Sequence, residues 1–314
     1  MLLHPSFFGL LQLSRQLDTP VSAGQIIPPH AFRYFMHKTG LDRLLSEKLK
    51  RIGQNPGEQT LDNCSRQFQK IVAETRIPEA LSEQFYECYF ILKDEQKGRK
   101  SFRLQSVVEP LLGKAAYPLE EYRKEDIDGP AALLEAVHQV FIKVFTSWVL
   151  EGLTKDPDSA GSLGLFIGMQ VQPVFTDEAF GTCYRLLGTS DHIIRLSVAY
   201  GNPLIFERGL SGSDVFHVEA QAGNLKLAFC KAEAKTKMWL TPESRLLEPL
   251  ITGVAPGKQK ALCASEDIIL QVVQAFLQIE NGMQAYRQFH IHPCLLWKVN
   301  RETNLPELLD LKQV

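Results

Sequence analysis

Apolar positions follow a helical spacing through most of the first hundred residues. They recur at intervals of three and four over residues 6–17, and again after the Pro28-Pro29 pair. A proline at the first helical position loses no hydrogen bond, and Gly40 can adopt the left-handed conformation that closes a helix. The pattern therefore predicts a helix between these prolines and Gly40, whose apolar stripe is Ala31, Phe32, Phe35 and Met36. Further helices are predicted over residues 42–52, 60–75 and 78–93.

Strand-like alternation begins after a charged break at residues 93–100. Residues 101–108 alternate apolar and polar side chains, as a strand with one buried face requires, and residues 112–119 are its predicted partner. Residues 120–128 are highly charged and predict an exposed turn. One long helix is predicted next, over residues 130–153, because apolar residues again form a single stripe.

The stretch from residue 163 to residue 218 combines three apolar strands with a glycine-containing loop. Beyond it, Ser265 is a predicted N-cap. The helix that follows has acidic residues in its first turn and a predicted apolar face that includes Ile269, Val272 and Phe276. The remaining predicted elements are strands at 225–230 and 237–240 and a terminal hairpin over 289–300 and 306–312. Together these patterns predict an α+β fold with mixed or antiparallel sheets flanked by helices.

Size and composition limit the possible classes of protein. A chain of 314 residues can form one large domain or two lobes, and the break at 93–100 suggests portions 1–100 and 101–314 that interleave. A net charge of −2 gives no electrostatic indication of binding to nucleic acid or to an acidic membrane. No apolar run reaches the roughly 18 residues of a membrane span. The six cysteines are scattered, and the start has no signal-peptide pattern, so a reducing, cytoplasmic location is expected.

Several short motifs resemble one known family. Residues 163–218, with Gln172 in a hinge strand and Gly201, Gly209 and Asp214 in register with a glycine-loop motif, resemble the nucleotide-binding part of phosphoenolpyruvate synthase and pyruvate phosphate dikinase. That part is an ATP-grasp module, so the resemblance implies a two-lobed ATP-grasp-like fold. The cofactor contacts that it implies are Arg103, Gly113, Lys114, Gln172, Gly201, Asp214 and, at the last strand, Gln313, with Lys312 as the other possible register.

The resemblance also shows that several charged residues of the family are absent from this sequence. The family's N-terminal lysine falls at about Phe8, and three of its carboxylates fall at Ala116, Leu204 and Leu296. Apolar side chains cannot ligate Mg²⁺, which requires oxygen ligands. We therefore expect no Mg²⁺ and no catalytic residues, and ATP binding that is weak or absent.

Three functions remain open at this point. The first is a degenerate, non-catalytic binding or regulatory module, with a protein partner because a fold kept without its chemistry needs another contact surface. The second is the ATP-binding subunit of a two-component phosphotransferase, in which Asp177, Glu178 or Glu207 replaces a lost ligand. The third is a structural component of an assembly that binds no nucleotide.

Overall fold

The computed structural model describes most of the chain, with gaps. The described residues are 7–14, 16–95, 101–108, 122–158, 164–171, 178–186, 188, 192–221, 223–240, 250–283, 292–300 and 302–313. They divide into two compact units, one formed by Met1–Ser22 with Pro173–Val314 and the other by Ala23–Gln172. The first unit thus combines both ends of the chain, and residues on both sides of the charged break at 93–100 belong to the second unit.

The unit formed by Ala23–Gln172 packs helices on a four-stranded antiparallel sheet with the strand order β1-β4-β2-β3. Its core contains the predicted stripe of Phe32, Phe35 and Met36, and the ring of Phe35 stacks on that of Phe141 at 4.8 Å between centroids. Its helices are α2 (Pro29–Thr39), α3 (Leu41–Ile52), α4 (Glu58–Glu74), α5 (Glu79–Glu95), α6 (Pro130–Lys143) and α7 (Ser147–Thr154). Its strands are β1 (Gly24–Ile27), β2 (Phe102–Val108), β3 (Arg123–Ile127) and β4 (Leu165–Val171).

The prediction of one long helix over residues 130–153 is wrong. The chain forms α6 and α7, whose axes differ by 54°. Thr146 has an extended backbone, and its side chain accepts a hydrogen bond from the Val149 N–H, so it begins a new helix as an N-cap. The carbonyl group of Phe145 is satisfied by the Ser65 hydroxyl at 2.6 Å, which stabilises the break.

The charged segment at 120–128 is also not a simple turn. Residues 123–127 form β3, which pairs antiparallel with β2 at the edge of the sheet. Charged residues are common in edge strands because they discourage pairing with other chains, so the charge pattern concealed a strand. The partner predicted for residues 101–108, at 112–119, lies outside the described residues.

The other unit is built on a six-stranded antiparallel sheet with the order β12-β11-β5-β6-β7-β8. Helix α9 covers one face, and its predicted apolar residues Ile269, Val272 and Phe276 are buried with Trp297 of the sheet. The Ser265 side chain caps α9, as predicted. The elements are α1 (Phe7–Leu13), β5 (Ala179–Arg185), β6 (Ile193–Tyr200), α8 (Leu204–Glu207), β7 (Asp214–Gln221), β8 (Asn224–Lys231), β9 (Lys237–Leu240), β10 (Leu250–Gly253), α9 (Glu266–Gly282), β11 (Pro293–Val299) and β12 (Pro306–Gln313).

These elements confirm the predicted fold class, an α+β chain with antiparallel sheets flanked by helices. The described part of residues 163–218 contains four strands where three are predicted: β4 joins the four-stranded sheet, and β5, β6 and β7 join the six-stranded one. Among the described helices, none is by itself long and apolar enough to cross a membrane, and only α6 and α7 taken together, across their bend, reach that length and composition.

Candidate functional site

A polar strip lies on one face of the four-stranded sheet. Arg103 of β2 and Gln170 of β4 are cross-strand partners, and both are almost completely buried. The Arg103 guanidinium donates to the Gln170 side-chain oxygen from Nε at 3.1 Å and from Nη2 at 2.5 Å. The structure therefore places this predicted phosphate contact in a strand, with its orientation set by a glutamine that the sequence patterns did not indicate.

Gln105 extends this strip. It lies two residues after Arg103, and alternate residues of a strand share a face. Its side chain is fully buried, and both its amide nitrogen and its oxygen have no hydrogen-bond partner within the described part of the chain. An unsatisfied buried amide costs free energy and calls for an explanation.

A cavity of about 570 Å³ lies on the face of the six-stranded sheet that α9 does not cover. Strand alternation explains its polar lining, since Ile194, Leu196 and Val198 of β6 point into the core while Arg195 and Ser197 point the other way. The other lining residues come from neighbouring strands, from α8 and the loop that follows it, and from the segment after β8: Thr182, Tyr184, Phe206, Glu207, Gly209, Ser211, Ser213, Val215, Glu233 and Cys294.

Arg195 is the one cationic side chain in the described lining of this cavity, which also contains the carboxylates of Glu207 and Glu233. Its Nε atom is buried and has no hydrogen-bond partner among the residues that the structure describes. His217 is its cross-strand neighbour on β7, and burial, together with the positive charge of Arg195, lowers the pKa of the His217 imidazole. The pKa of the Glu233 carboxyl group is lowered mainly by a hydrogen bond from Lys231. The second carboxylate in the lining, that of Glu207, belongs to an exposed residue. Patterns in the sequence did not single out Arg195, although a lone arginine in an apolar strand was a usable signal.

Leu296 lies where the resemblance places a glutamate. It is buried in a small apolar cluster with Phe180 and Leu309. On the adjacent strand, Asp310 pairs with Leu296 and is itself buried, and its carboxylate accepts the Leu311 N–H at 2.8 Å. The side chain at position 296 is therefore hydrocarbon, and the neighbouring Asp310 carboxylate is buried and accepts a backbone N–H.

A lysine occupies the same region of the sheet. Lys298 is largely buried, and its ammonium group lies 3.2 Å from a carboxylate oxygen of Glu307 and 3.7 Å from one of Glu178. Glu178, one of the possible replacement ligands, is thus ion-paired within the protein. Among the described residues there is no group of three or more His, Cys, Asp or Glu side chains placed to hold a metal ion.

Gly201 is required by a close approach between two backbones. Its φ is +76°, and a Cβ atom built there would lie 2.5 Å from the carbonyl oxygen of Trp239. Its N–H donates to the Glu178 carbonyl at 3.0 Å. The glycine predicted from the motif is therefore explained by packing just before α8, the helix whose last residue, Glu207, lines the cavity.

Asp214 points to the opposite face of the sheet from Arg195. Its side chain is completely buried; one carboxylate oxygen accepts a hydrogen bond from the equally buried Lys235 ammonium, and the other accepts the Cys263 N–H at 2.7 Å. Burial and the Asp214 charge raise the pKa of the Cys263 thiol. These contacts make Asp214 part of the folded framework in this structure, whereas the motif predicts a cofactor contact.

The remaining predicted contacts cannot be placed. Gly113, Lys114 and Gln172 lie outside the described residues, as does Asp177. In the last strand, the backbone register puts Lys312 opposite Cys294 and Gln313 opposite Pro293, but the two β12 side chains are outside the description.

Comparison with known families decides the relationship. The family model described as pyruvate phosphate dikinase, AMP/ATP-binding domain, matches residues 7–288. The chain belongs to this family. The match spans the strip around Arg103 and, of the described residues that line the cavity around Arg195, all except Cys294; it confirms the resemblance drawn from the motifs. No curated protein sequence matches the chain at a significant level.

Proposed function

We propose that this chain is a non-catalytic member of the pyruvate phosphate dikinase AMP/ATP-binding family that acts as a binding or regulatory module. The carrying observation is the apolar cluster of Leu296, Phe180 and Leu309 at the position where the family resemblance requires a glutamate. Mg²⁺ accepts oxygen ligands, which a leucine side chain at position 296 does not supply, and the carboxylate opposite it, that of Asp310, is buried and accepts the Leu311 N–H. Without the metal, the charge that develops during phosphoryl transfer lacks its main neutraliser.

The ion pairs of Lys298 support this proposal. A metal at this end of the sheet would have to displace the ammonium group from Glu178 and Glu307, to which it is paired at 3.7 and 3.2 Å. Removing one partner from a buried ion pair leaves an uncompensated charge, and that penalty opposes the exchange. The residues present therefore do not fit Mg²⁺ here, and no phosphoryl-transfer step is assigned to them.

The polar strip on the other sheet carries groups that an anionic ligand would use. A bound adenine nucleotide would supply a polyanionic phosphate chain, for which Arg103 offers a delocalised positive charge. The side-chain oxygen of Gln170 accepts two hydrogen bonds from the Arg103 guanidinium and so fixes the plane of that group. The unsatisfied amide of Gln105 offers a further donor on the same face of the sheet. Weak nucleotide binding without turnover is the behaviour that we expect.

The test compares turnover with binding. We would incubate the protein with Mg²⁺ and γ-labelled ATP and follow release or transfer of the label, with calorimetry measuring binding in parallel. We expect no turnover above that of buffer. Robust turnover that Arg103→Met abolishes, and that the charge-conserving Arg103→Lys retains, would overturn the proposal, provided that circular dichroism shows both variants folded.

A second function is favoured by one observation. Glu207 lines the cavity of the six-stranded sheet and is exposed, so it is available as a metal ligand in a two-component phosphotransferase. Such an enzyme would pass the phosphoryl group to a separate phosphohistidine protein. Manganese bound as its ATP complex gives a paramagnetic signal, and loss of that signal in Glu207→Gln would favour this function over the first.

A module that catalyses no reaction would regulate by binding, and we propose that it binds a partner protein. Affinity capture from the native host, with and without ATP, tests for such a partner.

Thermal melting distinguishes a purely structural role, because a ligand at 100 times its Kd adds about 2.7 kcal/mol of stability. An unchanged melting curve at millimolar ATP would favour a structural component that binds no nucleotide.

A further inference from the structure

We propose that the groove between helices α5 and α6 is a docking site for a partner protein, which would lay a basic amphipathic helix along it. The inference deepens the proposed function by naming a surface and the chemistry of the partner, and it rests on that function for the expectation that a protein partner exists. The groove belongs to the unit formed by Ala23–Gln172.

Helix α5 carries two apolar stripes. The first is buried in the core and consists of Leu81, Phe85, Tyr89 and Leu92. It packs α5 on the sheet, where the Tyr89 ring lies 5.1 Å from that of Phe102. The second stripe faces away from the core and includes Phe90 and Ile91, which are 48% and 42% exposed. Single apolar residues on a surface are normal, whereas a contiguous set beside a groove marks an interaction surface.

The two helices that form the groove run in opposite directions. The N–H of Gly129, just before α6, donates to the Tyr89 hydroxyl at 2.9 Å, near the end of α5. Further along α6, the Nε2 atom of His138 lies 3.0 Å from the carbonyl oxygen of Val72, near the end of the helix that precedes α5. The ends of the groove are therefore fixed by hydrogen bonds, and its direction follows the axis of α5.

The floor of the groove is apolar. A cavity of about 360 Å³ lies between the two helices, and its apolar lining consists of Ile77, Tyr86, Ala131 and Leu134. Phe90 lies one helical turn after Tyr86 on the same side of α5, so it continues this lining beyond the cavity. The volume is near the lower end of the roughly 300 to 1,000 Å³ that is typical of small-molecule sites, and it suits a few apolar side chains inserted from a partner.

The shape favours a helix as the occupant. A helix that lies between two others inserts side chains at intervals of three and four residues into the space between them. Amphipathic helices bind hydrophobic grooves of partner proteins in this way. The partner should therefore present apolar residues with that spacing.

The charges beside the groove decide the chemistry of the partner. Glu79, Glu83 and Glu87 recur every four residues along the outer side of α5, all are exposed, and none forms an ion pair with a described residue. Like charges at this spacing destabilise a helix, so the row contributes nothing to the stability of the fold. Glu135 lies on the opposite bank, and Arg76 is the only lysine or arginine in the described lining. Lysine or arginine side chains flanking an apolar stripe would relieve the repulsion.

The same row disfavours a second copy of this chain as the occupant. A symmetric dimer brings the same patch of both copies together, so the row of glutamates would approach its own copy. Negative charge along the groove also opposes binding of nucleic acid. A basic protein segment is the occupant that satisfies both the apolar floor and the acidic border.

The first experiment uses a defined probe. A labelled peptide as long as α5, 17 residues, would carry leucine at helical spacing on one side and lysine elsewhere. The control peptide has the same composition, with its leucines distributed around the whole helix. We expect fluorescence anisotropy at low salt to show binding of the amphipathic peptide at least about tenfold tighter than that of the control. Equal affinity of the two peptides, or no binding of either at millimolar protein, would overturn the proposal.

The second experiment locates the peptide. Phe90→Ser should weaken binding by about tenfold or more, because an aromatic anchor is lost. Trp148→Ser is the matched control, since Trp148 is 47% exposed on α7 of the same unit and lies outside the lining of the groove. It should leave binding within about twofold of the wild type. Equal losses in the two variants, with circular dichroism showing both folded, would refute the location.

The third experiment tests the charges. The double variant Glu83→Gln with Glu87→Gln should weaken peptide binding by about three- to tenfold at low salt, and the difference should vanish near 1 M salt, where screening acts within about 3 Å. Glu47→Gln with Glu151→Gln removes the same charge from exposed positions of α3 and α7 and should have an effect of less than about twofold. Equal effects of the two double variants would mean a general attraction to net charge and would overturn the assignment.

Sedimentation velocity of the protein alone tests the rival occupant. A mass that rises with concentration in the wild type, and that Phe90→Ser reduces to the monomer, would assign the groove to a second copy and overturn the proposal. A monomer at all concentrations supports it.

The inference and the proposed function fail separately. The variants of the groove lie away from the strip around Arg103, so they leave the turnover assay unaffected. A protein that neither binds the amphipathic peptide nor hydrolyses ATP refutes only the inference. Turnover of ATP with Mg²⁺ refutes the proposed function even if Phe90→Ser still weakens peptide binding.

Discussion

Asp214 gives the sharpest contrast between a motif and its structural setting. The motif predicts a cofactor contact, whereas the structure buries the carboxylate completely between the Lys235 ammonium and the Cys263 N–H. Lys235 also donates to the Glu233 carbonyl at 3.0 Å, so the ammonium group is held on two sides. Replacing Asp214 by Asn keeps the shape of the side chain but leaves the buried lysine without a counter-charge.

The magnitude follows from burial. Breaking one side of a buried ion pair costs about 3–5 kcal/mol, because the remaining charge is neither solvated nor paired. For a unit of this size, that loss lowers the melting temperature by on the order of 10 °C. The double variant Asp214→Leu with Lys235→Met removes both charges and should recover much of the loss, since apolar replacements of buried pairs are often neutral.

The assay is urea unfolding followed by tryptophan fluorescence, in which the fully buried Trp297 reports on the six-stranded sheet. Lys231→Met is the control, because its ion pair with Glu233 is largely exposed and should contribute less than about 1 kcal/mol. If Asp214→Asn had the stability of the wild type and lost nucleotide binding instead, the structural assignment would be refuted and the motif prediction upheld.

Three further predictions concern neighbouring positions. Gly201→Ala should lower the free energy of unfolding in urea by more than about 2 kcal/mol, because the new Cβ would lie 2.5 Å from the Trp239 carbonyl oxygen and the positive φ adds strain. Gly209→Ala is the control, since its φ is also positive but its surroundings are open, and it should cost only about 1–2 kcal/mol. Equal losses in the two variants would refute the packing argument. The lowered pKa of His217 means that the folded state binds fewer protons than the unfolded state, so the free energy of unfolding should fall as the pH drops below about 6.5. His217→Gln should flatten that dependence in urea titrations at several pH values, and an unchanged slope would contradict the assignment. Leu296→Ala should cost about 2–5 kcal/mol by calorimetry, as expected for a cavity in a buried apolar cluster, and a loss below 1 kcal/mol would show that the cluster contributes little.

The candidate site could be predicted only where one short segment carries its signal. The alternation of residues 101–108 placed Arg103 in a strand, and β2 confirms that placement. Its partner Gln170 lies 67 residues away, and no local pattern indicates that a glutamine of β4 would orient the guanidinium. The two carboxylates of the Lys298 ion pairs are likewise brought together by strand pairing, so their engagement could not be foreseen.

The amino-acid sequence by itself determined the helices and strands whose signals are local. The N-cap Ser265 and the apolar stripe that follows it predict α9, because a helix is specified by spacing within a few turns. Only the tertiary structure decided that Asp214 meets Lys235, that Leu296 packs in hydrocarbon, and that Arg195 faces a cavity. These outcomes depend on strand order and register, which arise from pairing between distant segments. Alternation along one strand predicts which side chains share a face, but it does not predict which strand or which cavity lies next to that face.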